Sequence, residues 1–452
     1  MYLKATTSLI FKWKNLGVED RILIWRSAII MEEKSLDIDK TIAELIMTDD
    51  SVKKRQLAKG IFKVAHRKGI YSSSTYEFYI ARGRGEFKGF TVPAINLRSM
   101  TYDLARKMFR VAEKNSSGAF IFEIARSEIG YTNQLPVEYS SAVLAAAIKE
   151  NYSGPVFIQG DHFQVNAAKF RENPDKEVED LQALIADAIS SGFYNIDIDS
   201  STLVDLSKPD LKKQQLLNYE VCARLTQFIR RIEPKGITVS VGGEIGEIGH
   251  QNSTPEDLHT FMAGLEEELP KGLAGISKIS VQTGTTHGGI VLPDGSVAQV
   301  NLDFDTLKTL SEIARRKYGL AGAVQHGAST LPPEAFHKFA ECETAEVHLA
   351  TEFQNMIYES KHFPPSLKKR IYEWLRVNAA AEAKQGETAE QFLYKTRKKA
   401  LGPFKKEIMG LPQKTRDAIA AEIESKFDFL FKQLNAVNKR ELVNKYTRVV
   451  VA

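Results

Sequence analysis

Apolar and polar positions fall into two textures along the chain. Up to about residue 88 the apolar residues recur at helical spacing, in Ile22, Ile24, Trp25, Ala28, Ile29 and Ile30 and again in Ile42-Ala-Glu-Leu-Ile-Met47. The polar break Met47-Thr-Asp-Asp-Ser51 offers an N-cap to a basic helix running to Ala65, on which Lys53, Lys54 and Arg55 read as a solvated face. From Gly89 short apolar runs alternate with amphipathic ones. The runs predict strands at Phe90–Asn96, Ala119–Ala125, Pro155–His162, Tyr194–Ser200, Thr238–Gly246, Lys278–His287, Ala321–Gly327 and Glu346–Thr351. Helical patterns lie between them, at Tyr102–Glu113, Ser140–Glu150, Glu177–Ser191, Leu216–Ile232, Pro255–Leu265, Asp305–Tyr318 and Pro333–Cys342. Such alternation implies a parallel sheet with crossover helices, and eight units fit an α/β fold of the closed (β/α)8 TIM-barrel type better than an open doubly wound sheet. Beyond Glu359 the chain turns charged and helical, which predicts helices packed on the barrel or on a partner subunit. The expected organisation is a helical extension over 1–88, a catalytic barrel over 89–358 and a helical segment over 359–452.

A barrel gathers the carboxyl ends of its strands on one face, so polar residues far apart in sequence share one mouth. Those ends carry Asn96, Asp161, His162, Asp199, Glu244, His287, His326 and Thr351. Three are imidazoles beside glycine or in glycine-rich turns, in Gly160-Asp161-His162, Thr286-His287-Gly288-Gly289 and His326-Gly327-Ala-Ser329. Any one histidine is more often a core or surface residue than a ligand. Three at strand ends form the pattern of a catalytic zinc site with an open position, and small neighbours leave room for metal and substrate. Asp161 is placed for general acid-base work, or for support of a metal-bound imidazole. Glu244, in Val239-Ser-Val-Gly-Gly-Glu-Ile-Gly-Glu247, points a carboxylate from a glycine-rich strand end toward the metal or a ligand. The turns at Gly288 and Gly327 expose backbone amides where barrels often hold phosphate, and Ser329 adds either a hydroxyl for an anion or an N-cap.

Composition narrows the class without changing this picture. The chain is 43% hydrophobic and 26% charged with a net charge of +4, values of a globular protein that give no reason to expect a nucleic-acid partner. Cys222 and Cys342 are the only cysteines and fall in helical patterns, so neither a disulfide framework nor a thiolate cluster is expected. The amino terminus lacks a signal-like pattern and no apolar run approaches membrane-spanning length. The expectation is a cytoplasmic enzyme without a membrane partner.

The order of these motifs resembles the class II, metal-dependent ketose-bisphosphate aldolase family, which includes the fructose- and tagatose-bisphosphate aldolases. The similarity runs over about Gly89–Tyr358 and more faintly to Met409. It implies that Asp161 is the catalytic acid/base, that His162, His287 and His326 bind one zinc ion, and that Glu244-Ile-Gly246 and Ile198-Asp199-Ser-Ser201 match the family's Glu-Leu-Gly and Ile-Asp-x-Ser motifs. It also implies phosphate contacts from Gly288, Gly327 and Ser329. Arg397, in Tyr394-Lys-Thr-Arg397, loosely matches the family arginine that reaches a phosphate in a neighbouring subunit. The expected reaction is reversible aldol cleavage of a phosphorylated ketose, similar to fructose 1,6-bisphosphate, to dihydroxyacetone phosphate and an aldehyde, by a homo-oligomer in carbohydrate metabolism. Two departures stand out. The family's eighth-strand Asn-x-Asp-Thr-Asp reads His348-Leu-Ala350-Thr351-Glu352, and its Gly-Gly-x-Glu-Asp loop reads Gly249-His250-Gln-Asn-Ser253. Substrate contacts by His348 and Thr351 are therefore expected to differ, and the second proton-transfer acid falls among Glu247, Glu256 and Asp257. An aldolase or epimerase for another sugar phosphate, or a non-catalytic barrel subunit of an aldolase complex, are the alternatives.

Overall fold

The structure, a computed structural model, describes residues 36–246, 251–284, 292 and 302–447. The expected helix over Ile22–Ile30 and the turn holding His287 and Gly288 lie outside the described residues. The strands are β1 (Ile70–Ser73), β2 (Val92–Asn96), β3 (Ile121–Ala125), β4 (Gly154–Gln164), β5 (Asn195–Asp199), β6 (Ser240–Gly246), β7 (Lys278–Val281), β8 (Ala323–Gln325) and β9 (Glu346–Leu349). β2 to β9 pair in sequence order, all parallel, and β9 returns to β2, closing a (β/α)8 barrel. The predicted strands all appear, most of them trimmed at their ends. β4 instead runs on past His162 to Gln164, and Thr351 opens the helix Thr351–Glu359 rather than ending a strand.

The amino-terminal segment departs from its all-helical reading by contributing β1. Ile70–Ser73 pairs with Gly154–Phe157, the lower part of β4, while β5 takes over that edge from Gln159. Asn195 joins the two: its Nδ2 donates to the Ser73 carbonyl at 3.1 Å and its Oδ1 accepts from the Thr75 N–H at 2.8 Å.

Asp50 caps the helix Ser51–Arg67 as expected, its carboxylate accepting from the N–H groups of Val52 and Lys53 at 2.8 and 3.1 Å. Lys54 corrects the expectation of a wholly solvated basic face. It is buried, with Nζ 2.5 Å from Glu138 Oε2, and Glu138 also accepts from Lys405 of the carboxyl-terminal segment. The two flanks thus meet on one buried carboxylate of the helix Pro136–Lys149. The carboxyl-terminal helices pack on the barrel: along Gln413–Gln433, Arg416 meets Asp103 at 3.1 Å and Lys107 meets Glu424 at 2.9 Å, while Phe431 packs on Phe120 with ring centroids 5.5 Å apart. Burial of Phe427 and Phe431 on this helix stabilises by roughly 1.5–3 kcal/mol each.

Close packing brings the turn after Arg397–Ala400 onto the helix Arg126–Thr132. Gly402 N–H donates to the Tyr131 carbonyl at 3.0 Å, and a Cβ at residue 402 would lie 2.5 Å from that oxygen. Gly402→Ala is expected to lower stability by about 1–3 kcal/mol, read as a lower urea midpoint at unchanged slope. An unchanged midpoint would show that the turn moves aside freely.

Candidate functional site

Two bulges aim the site residues. Between Gly160 and Phe163, β4 advances three residues while β5 advances two, from Ile196 to Ile198. The extra residue breaks the strict alternation of side chains, so that neighbours Asp161 and His162 both face the barrel mouth. His162 takes φ 39°, an unusual backbone conformation for a residue with a side chain, and Gly160 is required because a Cβ there would lie 2.5 Å from the Phe163 ring. On β6 a second bulge lies between Glu244 and Gly246, whose φ is 61°, where β7 advances only from Ser280 to Val281.

These bends bring His162, Glu244 and His326 together, with ligand-capable atoms within 4.8 Å of one another. The His162 and His326 ring centroids are 4.1 Å apart. His162 Nδ1 lies 3.1 Å from both Asp199 Oδ2 and Glu244 Oε2, and Asp199 is itself held by Gln164 Nε2 at 2.6 Å. Ser280 Oγ lies 2.8 Å from His326 Nδ1. Asp161 Oδ1 sits 3.2 Å from His326 Nε2 and 3.2 Å from His348 Nδ1.

The charge balance favours a cation at this place. Burial raises the Glu244 carboxyl to about 7, with Asp199 adding to the effect. Burial alone would neutralise His162, but Asp161, Glu244 and Asp199 hold its pKa well above the ordinary imidazole range. Burial and the neighbouring His162 and His348 keep His326 neutral, the form in which an imidazole ligates a metal. Burial opposes ionisation of Asp161 as well, yet the surrounding imidazoles hold its carboxyl well below the usual range. A borderline nitrogen and oxygen donor set around a carboxylate-rich pocket fits a divalent ion such as zinc.

Below this ring lies a charged layer that the strand patterns did not single out. Lys278 Nζ lies 2.7 Å from Gln159 Oε1, 2.9 Å from Asp197 Oδ1 and 2.5 Å from Glu346 Oε2. Tyr79 donates to Glu346, and His348 spans Glu346 through Nε2 at 2.8 Å and Glu123 through Nδ1 at 2.9 Å. Burial raises Glu123 to about 7 and Asp197 to about 6, in the latter case against the pull of Lys278. The signal available in sequence was period two: Gln159, Asp197 and Glu346 each stand two residues before Asp161, Asp199 and His348 and so share their inward face.

A cavity of about 830 Å³ opens above Asp161, lined among others by Asn96, Gly327, Ser329, His348 and Thr351. Asp199 stands behind His162, outside the lining. Ser329 N-caps no helix; its Oγ accepts from the Ala350 N–H at 3.0 Å. Arg397 does not line the cavity. It is buried, with Nη1 2.6 Å from Glu359 and Nη2 2.6 Å from Asn355, and its neighbours Tyr394, Lys395 and Lys398 line the rim instead. Glu256 and Asp257 lie outside the cavity lining, and Asp257 closes a capping box with Thr254.

The family model described as fructose-bisphosphate aldolase class-II matches residues 84–430. No curated protein sequence matches the chain. Among solved structures, a glycerol-complexed fructuronate-tagaturonate epimerase from Cohnella laeviribosi is 13% identical with a TM-score of 0.57, covering 85% of this chain and 86% of that one. A fructose-bisphosphate aldolase from Campylobacter jejuni is 18% identical with a TM-score of 0.48, covering 82% and 97%. At these identities the epimerase shares the fold.

Removing the ammonium of Lys278 would leave Asp197 and Glu346 buried without their cation. Lys278→Met is expected to destabilise by about 3–5 kcal/mol, and Lys278→Met with Glu346→Gln to recover part of the loss. Chemical denaturation of both variants checks this. Equal midpoints for wild type and Lys278→Met would mean that the layer needs no internal cation.

Proposed function

From the premise that the chain belongs to the class II fructose-bisphosphate aldolase family, we propose that it is a divalent-metal-dependent lyase for reversible aldol cleavage of a phosphorylated ketose. The observation that carries this reading is the convergence of His162, His326 and Glu244 on one spot, the two histidines lining the cavity beside Asp161. Those three residues, with His287, would hold the ion, for which zinc is our choice. When bound, such an ion supplies Lewis-acid withdrawal of charge from the ketose carbonyl.

The protein's own part is proton handling and positioning. Asp161 takes the proton from the hydroxyl on the carbon that becomes the aldehyde; the O–H electrons form the new C=O, the carbon–carbon bond breaks, and its electron pair stays with the dihydroxyacetone phosphate fragment. His348 fixes Asp161 Oδ1 through Nδ1, so the carboxylate meets the substrate already oriented. Asp199 and Ser280 fix the His162 and His326 rings. Gly327 and Ser329 offer the phosphate contacts. Glu247, which lies outside the described residues, is the remaining candidate for the second proton transfer. The exchange of the family's eighth-strand Asn and Asp for His348 and Ala350 favours a ketose phosphate other than fructose 1,6-bisphosphate.

Metal analysis of His162→Ala and His326→Ala should show large losses of bound ion. Asp161→Ala should retain the ion and lose activity by about a hundredfold to ten-thousandfold. Both are read on a panel of ketose mono- and bisphosphates, with released aldehyde as the product. Full metal retention by a folded histidine variant would remove that residue from the site. Interconversion of ketose epimers without carbon–carbon cleavage would replace the lyase assignment with an epimerase.

A further inference from the structure

Tyr79 reaches the interior acids from the end of the barrel opposite the cavity. It lies on the helix Tyr76–Gly83, ahead of residues 84–430, the part of the chain that matches the family. The helix is pinned at both ends. Thr75 donates its N–H to Asn195 Oδ1 at 2.8 Å, and Arg82 Nη2 donates to the Thr344 carbonyl at 3.1 Å. Between these anchors the Tyr79 side chain is fully buried at the start of β9, where its hydroxyl donates to Glu346 Oε1. Burial and the neighbouring Glu346 carboxylate hold the phenol well above its ordinary range, so it remains a donor.

The two oxygens of Glu346 are held differently. Oε2 accepts from Lys278 Nζ at 2.5 Å and from Gln159 Nε2 at 3.2 Å, and lies 2.8 Å from His348 Nε2. Oε1 accepts from the Tyr79 hydroxyl. Glu346 is fully buried, so solvent does not replace a lost donor, and without that hydroxyl the carboxylate turns to find another. Such a turn carries Oε2 away from His348 Nε2. The imidazole is one rigid ring, so a change at Nε2 is felt at Nδ1, which lies 3.2 Å from Asp161 Oδ1. Glu123 Oε2, 2.9 Å from the same Nδ1, is the competing partner toward which the ring can swing.

We infer that Tyr79 is a positioning residue for the reaction: through Glu346 and His348 its hydroxyl sets the orientation of the Asp161 carboxylate. This rests on the assignment of Asp161 as the base, and it gives the segment ahead of the barrel a part in catalysis. Tyr79 touches no substrate, so its loss lowers kcat and leaves KM unchanged.

The test uses the full, metal-loaded chain and Tyr79→Phe, which keeps the ring and removes the hydroxyl. On the ketose phosphate that the cleavage panel identifies, Tyr79→Phe should lower kcat by about tenfold to a hundredfold at unchanged KM and metal content. In a His348→Asn background the same substitution should cost nothing further, because the link it acts through is gone. Tyr152→Phe removes the hydroxyl of another buried tyrosine, bonded to the Pro155 carbonyl at 3.1 Å, and should leave kcat as in wild type. An undiminished kcat in Tyr79→Phe, a full additional loss on top of His348→Asn, or an equal loss in Tyr152→Phe overturns the inference. A readout without turnover separates it from the aldol assignment. In nitrogen NMR of isotope-labelled histidine rings, with the His348 signals identified by their loss in His348→Asn, those signals should shift in Tyr79→Phe. Unmoved His348 signals overturn the inference even where cleavage is observed. Shifted signals in a protein that cleaves no ketose phosphate support the link from Tyr79 to His348 while the aldol assignment fails.

Discussion

Lys278 and its carboxylates are the constraint on which the site depends. A parallel barrel of this type is commonly filled by branched apolar side chains. Here a layer of the interior is ionic, with Glu123, Asp197 and Glu346 buried around one ammonium and one imidazole. Acids this deep persist only if each finds a cation or a donor. Lys278, His348, Gln159 and Tyr79 supply them, and His348 passes the arrangement upward to Asp161. The Asp161 carboxylate is therefore held in place by a chain of ion pairs that begins near the middle of the barrel.

The two bulges solve a different problem. A regular strand presents every second side chain to the mouth, which would separate Asp161 from His162 by a sheet face. One extra residue on β4 breaks that rule at the expense of an unusual backbone angle at His162, and the bulge on β6 lies at Glu244. The base and the metal ligand proposed above are thus consecutive residues, with little freedom for either to move independently.

Much of this was legible in the sequence. The eight strands announced themselves as apolar runs with polar ends, and the barrel class made Asp161, His162, Glu244 and His326 neighbours before any coordinates. What escaped was interaction across the fold. Lys54 reads as one more charge on a basic helix because its partner Glu138 is 84 residues away. β1 is four residues long and half polar, so no local pattern marks Ile-Tyr-Ser-Ser as a strand. Arg397 matched a motif, but Glu359 and Asn355 turn it inward, leaving the rim to Lys398. The interior acids were visible only in hindsight, through their spacing of two from residues already suspected.

That inconspicuous first strand has a consequence for solubility. β4 spans eleven residues and β5 only five, so the lower part of β4 faces a gap where its neighbour has not yet begun. Open backbone donors and acceptors on a long apolar strand are a template for pairing with another chain. β1 covers that stretch, and the Asn195 amide bridges the seam where one neighbour gives way to the other. The segment ahead of the barrel thus covers the strand that bears Asp161 and His162, and the native state is guarded against edge-to-edge pairing on the strand from which those two residues rise.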